Sequence, residues 1–253
     1  MTVDLQKANI TKRVAAALLD FILLTIIVTG AATALTAAFG YDTYVNTADA
    51  RQKYFEEQYG VRFEITEEEY LAFSEEKQQL YNDAYKAFRQ DKEFLYAYNM
   101  MLNLVTITIS LSLLLGVAIV EFIIPLILKN GQTVGKKVFG IGLVRVDGVQ
   151  LTTLQLFTRT ILGKFTVELM IPAYIIIMLY FSIADIISLA ILIIILIVQV
   201  VCPIVTRTNS AFHDLLAGTV AIDIASQQIF RSKEELLEYT KKAHAEQANR
   251  SVY

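Results

Sequence analysis

One cysteine stands among the 253 residues, Cys202, and it sits inside an apolar run. That excludes a disulfide framework and a thiolate metal cluster. Tryptophan is absent, so tyrosine and phenylalanine must supply any aromatic belt at a membrane surface. A surplus of positive charge is missing as well. The formal net charge is -3, which removes the case for nucleic-acid binding and makes the charges informative only by where they sit. No Ser/His/Asp set, metal-ligand spacing or cofactor fingerprint occurs, so the expected protein is not an enzyme and has no cofactor and no metal site.

Apolar residues are what the chain has in quantity. It is 55% hydrophobic and 19% charged, with a mean hydropathy of +0.49. This is too apolar for an ordinary soluble domain and too charged for membrane spans alone, so spans should alternate with polar segments. The first run, Val14 to Phe39, follows Lys7, Lys12 and Arg13 and carries Asp20 inside it. A signal peptide with small residues at Ala32-Thr33-Ala34 is the alternative. The length of the run and the interruption at Asp20 favour an uncleaved helix that starts in the cytoplasm.

Three more spans follow. The second, Asn103 to Leu128, contains Glu121 and Pro125 and is closed by Lys129. The third covers about Ile161 to Phe181, with Lys164, Glu168 and Pro172. The fourth runs from Ile186 to Val205 with Gln199, Cys202 and Pro203, and Ser182 to Asp185 is the polar turn that makes the last two an antiparallel hairpin. The expected fold is an all-α integral membrane protein of four transmembrane helices, one membrane domain over residues 1–253.

Between the first two spans lies an insertion, residues 41–98, with 13 acidic and 7 basic residues and many aromatics. Thr66 followed by Glu67, Glu68 and Glu69 is a capped helix start. Tyr70, Phe73, Lys77, Leu80, Tyr81, Ala84, Tyr85 and Phe88 then form an apolar-aromatic stripe, which predicts an amphipathic helical pair running into the next span. The stripe reads first as packing surface and second as a face for a partner protein. By contrast, the loop 129–164 holds six basic residues and one acid. The positive-inside rule makes that loop cytoplasmic, both termini with it, and the acidic insertion extracytoplasmic. The bilayer is therefore the first partner. Lys136, Lys137 and Arg159 read as lipid-facing basic residues that bind anionic headgroups or simply set topology. The tail, residues 225–253, is polar and reads as solvated.

The basic loop has its own pattern. Gly131-Gln132-Thr133-Val134-Gly135-Lys136-Lys137 offers the residue types of a phosphate-binding loop, but the glycine spacing is short and Lys137 stands where a Ser or Thr should hold magnesium, so nucleotide binding is rejected. A short interfacial helix from Thr133 fits better. Ile141 to Val146, the turn Asp147-Gly148, and Val149 to Leu151 then predict a β-hairpin, which a strand from Thr219 to Ile224 could join. Leu154 to Leu162 reads as a separate amphipathic helix presenting Arg159.

Three stretches together resemble the bacterial RDD family of membrane proteins: Arg13 with Asp20, the loop from Gly131 to Lys137 with Gly140-Ile141 and Asp147-Gly148, and His213-Asp214-Leu215-Leu216-Ala217-Gly218-Thr219. The family is named for one arginine and two aspartates, which match Arg13, Asp20 and Asp214 here. The resemblance implies a multi-pass protein of the bacterial cell membrane and a role in transport, with cation/proton exchange implied for some members. The long insertion and the separated final hairpin depart from the compact pattern.

Depth along the spans adds a site. Arg13 and Asp20 are seven residues apart, on one helix face but roughly 10 Å apart along the axis, too far for an ion pair. Arg13 is placed to meet Asp214 instead, as a latch or structural ion pair beside His213, which reads as structural or as a pH-sensitive gate. Asp20, Glu121, Glu168 and Gln199 approach the same half of the bilayer from four helices. A charged group at that depth costs roughly 2.5 to 3.5 kcal/mol on insertion scales, so it is kept where a cavity or bundle interior uses it. Facing one another without a Lys or Arg at their level, the four would form a carboxylate-rich site stabilised by protons or a bound cation. The expected function is a small carrier exchanging a cation for protons, as a homodimer or larger assembly since four spans are few. The alternative is a non-transporting membrane scaffold or accessory subunit docking a partner through 41–98.

Overall fold

The first apolar run folds as one helix, α1 (Ile10–Phe39). The computed structural model describes residues 5–128 and 130–250; Lys129, expected to close the second span, and the last three residues of the polar tail lie outside the described residues. The chain divides into two compact units, Ala31–Ser110, and Met1–Gly30 with Leu111–Tyr253.

The smaller unit contains the acidic insertion. Gly40 (φ +64°) ends α1, and α2 (Tyr41–Tyr59) follows at once. Thr66 makes the anticipated capping box with Glu69, but the helix it starts, α3, covers only Glu67–Leu71. Ser74 accepts a hydrogen bond from the Lys77 N–H and starts a second helix, α4 (Glu75–Gln90), so the aromatic stripe is split between two helices. Ala84 and Phe88 are its buried members, while Leu80 and Tyr85 remain more than two-fifths exposed. Phe88 packs with Ala48, Phe55, Phe94 and Ala97, and its ring lies 5.1 Å from that of Phe63. Arg51 holds Asp91 with two hydrogen bonds of 2.9 and 2.7 Å, joining α2 to the end of α4.

From Lys92 the chain stays helical to Leu128, through α5 (Lys92–Val117), a π-helical segment π1 (Ala118–Ile123) and α6 (Ile124–Leu128). The insertion therefore does run into the span. After the short helix α7 (Val134–Val138) and strand β1 (Ile141–Arg145) comes α8 (Thr153–Phe157), whose capping box joins Thr152 and Gln155. It continues without a break through π2 (Thr158–Met170) into α9 (Ile171–Tyr180). The third span thus begins at Thr153, and the separate amphipathic helix expected over 154–162 is its first turns. Asp185 accepts from the Ser188 N–H at 2.8 Å to start α10 (Ile186–Val205). Among the described residues, four helical stretches are long and apolar enough to cross a membrane: Ile10–Phe39, Lys92–Leu128, Thr153–Tyr180 and Ile186–Val205. The protein is an all-α membrane protein with a small sheet.

The sheet is closed by the last elements, α11 (Phe212–Ala217), β2 (Thr219–Asp223) and α12 (Lys233–Arg250). The Asp147-Gly148 turn forms, with Gly148 at φ +83°. The return strand contributes only a bridge from Gln150 to Val144, so the ladder of β1 is made by β2, antiparallel, with Leu143 opposite Ala221 and Arg145 opposite Thr219. The hairpin expectation is corrected in this respect: Val144, Val220 and Ile222 are fully buried together, and β2 supplies five paired residues where the return stretch after Gly148 is cut short by Thr152, the N-cap of α8. Gln6 and Ala8 bond to the other edge of β2, at Asp223 and Ala221.

Phe88→Ala is expected to destabilise the Ala31–Ser110 unit by about 3–5 kcal/mol, as for other buried Phe truncations. Hydrogen exchange of the α2 and α4 amides measures it as a loss of protection.

Candidate functional site

The larger unit gathers most of the singled-out residues, beginning with α1. Arg13 donates from Nη1 to the Asn209 carbonyl at 2.6 Å, and its Nη2 lies 3.7 Å from Asp214 Oδ2. Two turns further on, Asp20 is buried. It accepts from the Thr133 hydroxyl at 2.5 Å and from the Gly135 N–H at 2.8 Å. Thr133 is also the N-cap of α7. Gly135 has no substitute here: a Cβ on it would lie 2.2 Å from the Ala16 carbonyl oxygen, so only glycine lets α7 lie against α1.

The π segments supply the rest. Pro125 stands four residues after Glu121 and has no N–H to give the Glu121 carbonyl, so the α-helical bond is lost there. The Thr160 hydroxyl donates to that carbonyl at 2.9 Å instead. The pattern recurs four residues apart at Glu168 and Pro172, where π2 gives way to α9. A π-helix closes i to i+5 bonds at roughly 4.4 residues per turn. Residues five and nine apart then lie within about 50° of one another, whereas α periodicity turns them roughly 140° and 180° apart. Arg159, Lys164 and Glu168 have this spacing, and all three line one cavity.

Glu121 is the centre of that cavity. Lys164 Nζ hydrogen-bonds its Oε1, while Lys136 Nζ and Arg159 Nη1 each stand 3.6 Å from its Oε2. Arg159, only 3% exposed, donates from Nε to Asp214 Oδ1 at 2.8 Å, and the Thr219 hydroxyl donates to the same oxygen at 3.0 Å. Glu168 takes the His213 backbone N–H at 3.2 Å and lies 2.8 Å from the His213 ring Nδ1. Gly163 makes room for this pair, since a Cβ there would come within 2.6 Å of His213 Cβ.

The cavity has a volume of about 590 Å³, and its charged lining is Arg13, Lys136, Arg159 and Lys164 against Asp20, Glu121, Glu168 and Asp214. With His213 neutral the four cations balance the four anions. Burial drives Lys136 down from the ordinary lysine value, Glu121 pulls it part of the way back, and it is left at about 8. Burial raises the Asp214 carboxyl, but Arg159 and His213 outweigh this and hold it well below the usual carboxylate range. His213 is pushed below the ordinary imidazole value by burial and by Arg159, against the pull of Asp214 and Glu168.

The family model of the RDD family matches residues 7–218, a stretch that includes Arg13, Asp20 and Asp214. The chain belongs to the RDD family. No curated protein and no solved structure matches it.

In this RDD protein the carboxylate-only site is corrected. Glu121 is surrounded by three cations, and Asp20 is engaged by α7, because three buried carboxylates facing one another would leave their charge uncompensated. Lys136 and Arg159 are corrected too: neither is a lipid-facing base, since both face Glu121 from inside the cavity. Lys137 is exposed. Gln199 is half-buried on α10 and outside the cavity lining. Lys164 was missed as a site residue, and the Glu-x3-Pro spacing at 121–125 and 168–172 was the available signal for the π segments that place it.

Arg159→Met should cost about 3–5 kcal/mol, because Asp214 and Glu121 keep their buried charge without it; thermal unfolding of the purified protein in detergent measures this. A second outcome concerns pH. His213 binds a proton less readily when folded than when unfolded, so stability should fall as pH drops through about 6.5. His213→Gln is expected to flatten that part of the unfolding-temperature profile.

Proposed function

We propose that this RDD protein is a multi-pass carrier of the cell membrane that exchanges a monovalent cation for a proton, with Glu121 as the carboxylate for which the cation and the Lys136 ammonium compete. One observation carries the reading. Glu121 is buried within a span, and its Oε2 makes no hydrogen bond among the described residues although Lys136 and Arg159 both face it at 3.6 Å. A carboxylate oxygen so placed is held by charge alone, and charge can be exchanged.

The balance is one for one. When Lys136 releases its proton, the cavity lining keeps four carboxylates and three cationic side chains. A monovalent cation on the Glu121 side restores neutrality, and reprotonation of Lys136 expels it. Lys136 suits this role because its proton affinity has fallen to about 8, within reach of cellular pH. Lys164 and Arg159 remain paired and prevent Glu121 from becoming an isolated buried charge. The basic residues Lys136, Lys137 and Arg145 between the second and third spans support a topology with both termini and the sheet on the cytoplasmic side, and a homo-oligomer supplies the additional spans that a carrier pathway needs.

Purified protein in liposomes with an internal pH dye tests this. A monovalent cation gradient should drive proton flux with wild type, Glu121→Gln and Lys136→Met should each lower it at least tenfold, and Gln199→Ala should leave it unchanged. Flux that is absent from wild type, or equal in wild type, Glu121→Gln and Lys136→Met, overturns the reading.

A further inference from the structure

Among the described residues, Asp20 is a buried carboxylate in a span that touches no other charged group by hydrogen bond; its partners are the Thr133 hydroxyl and the Gly135 N–H. We infer that Asp20 is a positioning residue and not an ion ligand: through these two bonds it seats α7 on α1 so that the ammonium of Lys136 stands against Glu121. The role assigned to Lys136 rests on the exchange reading above; the seating of α7 does not.

The hydrogen-bond chain explains how an acid in one helix controls a lysine in another. A threonine hydroxyl has one proton and two lone pairs. Its proton goes to Asp20 Oδ2 at 2.5 Å. Both lone pairs are then turned toward Lys136, whose backbone N–H donates to Thr133 Oγ1 at 3.3 Å and whose Nζ donates to it at 3.4 Å. The second Asp20 oxygen fixes the Gly135 N–H one residue earlier, and the bare Gly135 Cα closes the gap to Ala16. Lys136 therefore has its backbone and its side-chain tip set by the same carboxylate. Asparagine at position 20 keeps the shape but cannot accept at both oxygens. Its NH2 would point at Thr133 Oγ1, turn the hydroxyl proton toward the ammonium, and release α7.

The groups facing Lys136 are Asp20 from α1, Glu121 from π1, and Arg159 and Lys164 from π2. This set makes the direction of the effect diagnostic. Removing the Asp20 charge alone would weaken proton binding at Lys136. Releasing α7 lets Lys136 leave the buried, cation-crowded site and regain an ordinary lysine's affinity, so positioning predicts the opposite shift.

Full-length protein in detergent, pulse-labelled with acetic anhydride across a pH series and read by mass spectrometry at Lys136, measures this affinity, with exposed Lys137 as the internal reference. Wild type should label with a midpoint near 8. Asp20→Asn should raise the midpoint by at least one pH unit, a roughly fivefold lower neutral fraction at pH 8, and Thr133→Val should move it the same way by less. Phe88→Ala, in the other compact unit, should leave it in place. Unchanged or lowered midpoints in Asp20→Asn and Thr133→Val overturn the positioning role; if Asp20→Asn does not fold, Thr133→Val decides alone. The labelling requires no transport. Raised midpoints in a protein whose wild type carries no flux would support the seating of α7 while overturning the exchange reading, and flux with unmoved midpoints would do the reverse.

Discussion

A buried guanidinium organises the larger unit. Arg159 spans two carboxylates that reach it from different helices, bonding Asp214 through Nε and facing Glu121 with Nη1. Each acid has further cationic neighbours, Lys164 and Lys136 at Glu121 and Arg13 at Asp214, but Arg159 is the cation they share, and neither helix can withdraw without leaving a buried charge poorly compensated. Arg13 approaches Asp214 from the other side, so α1, π1, π2 and α11 are all tied to one network of alternating sign. The bundle is specified at this level by electrostatics more than by apolar packing. That suits helices whose lipid-facing surfaces gain little from contact with one another.

The network needs the wider helical pitch. In an α-helix Lys164 and Glu168 would share one face, and Arg159 would lie roughly 140° to 180° from them on the other side. Opening thirteen residues of one span into π geometry aligns them on the cavity side, and the proline four residues after each glutamate removes the donor that would have favoured the tighter turn. The π segments coincide with the charged side chains, a distribution often found at functional sites.

Much of the architecture was legible in the residues. Four apolar runs, the capping Thr66, the turn at Asp147-Gly148 and the proximity of Arg13 to Asp214 all follow from hydropathy, local propensity and position along the helices. The misread features share two causes. An amphipathic helix at 3.6 residues per turn sends Arg159 to the surface, and depth counted along the spans leaves Lys164 outside the level of Glu121. Local reading also cannot find partners far away in sequence: the Gly131–Lys137 stretch resembles a phosphate loop when viewed alone, and its hydrogen-bond acceptor, Asp20, lies 113 residues before Thr133. The same distance hid the ladder partner of β1, whose nearer candidate supplies the turn but passes into α8 at Thr152 before a ladder can form.

That ladder has a consequence for the order in which the protein is made. Arg145 in β1 pairs with Thr219 in β2, 74 positions later, and the residues at Gln6 and Ala8 pair with the far edge of β2. Between the two strands lie both of the last two spans. A nascent chain therefore holds its first strand and its N-terminal segment unpaired until the third and fourth spans have been threaded and α11 has emerged. When β2 arrives, it joins the beginning, middle and end of the chain in one step and brings Asp214 to Arg159. The sheet is a clasp that only a fully inserted chain can fasten, and assembly of the buried charge network is thereby postponed until every helix contributing to it is in place.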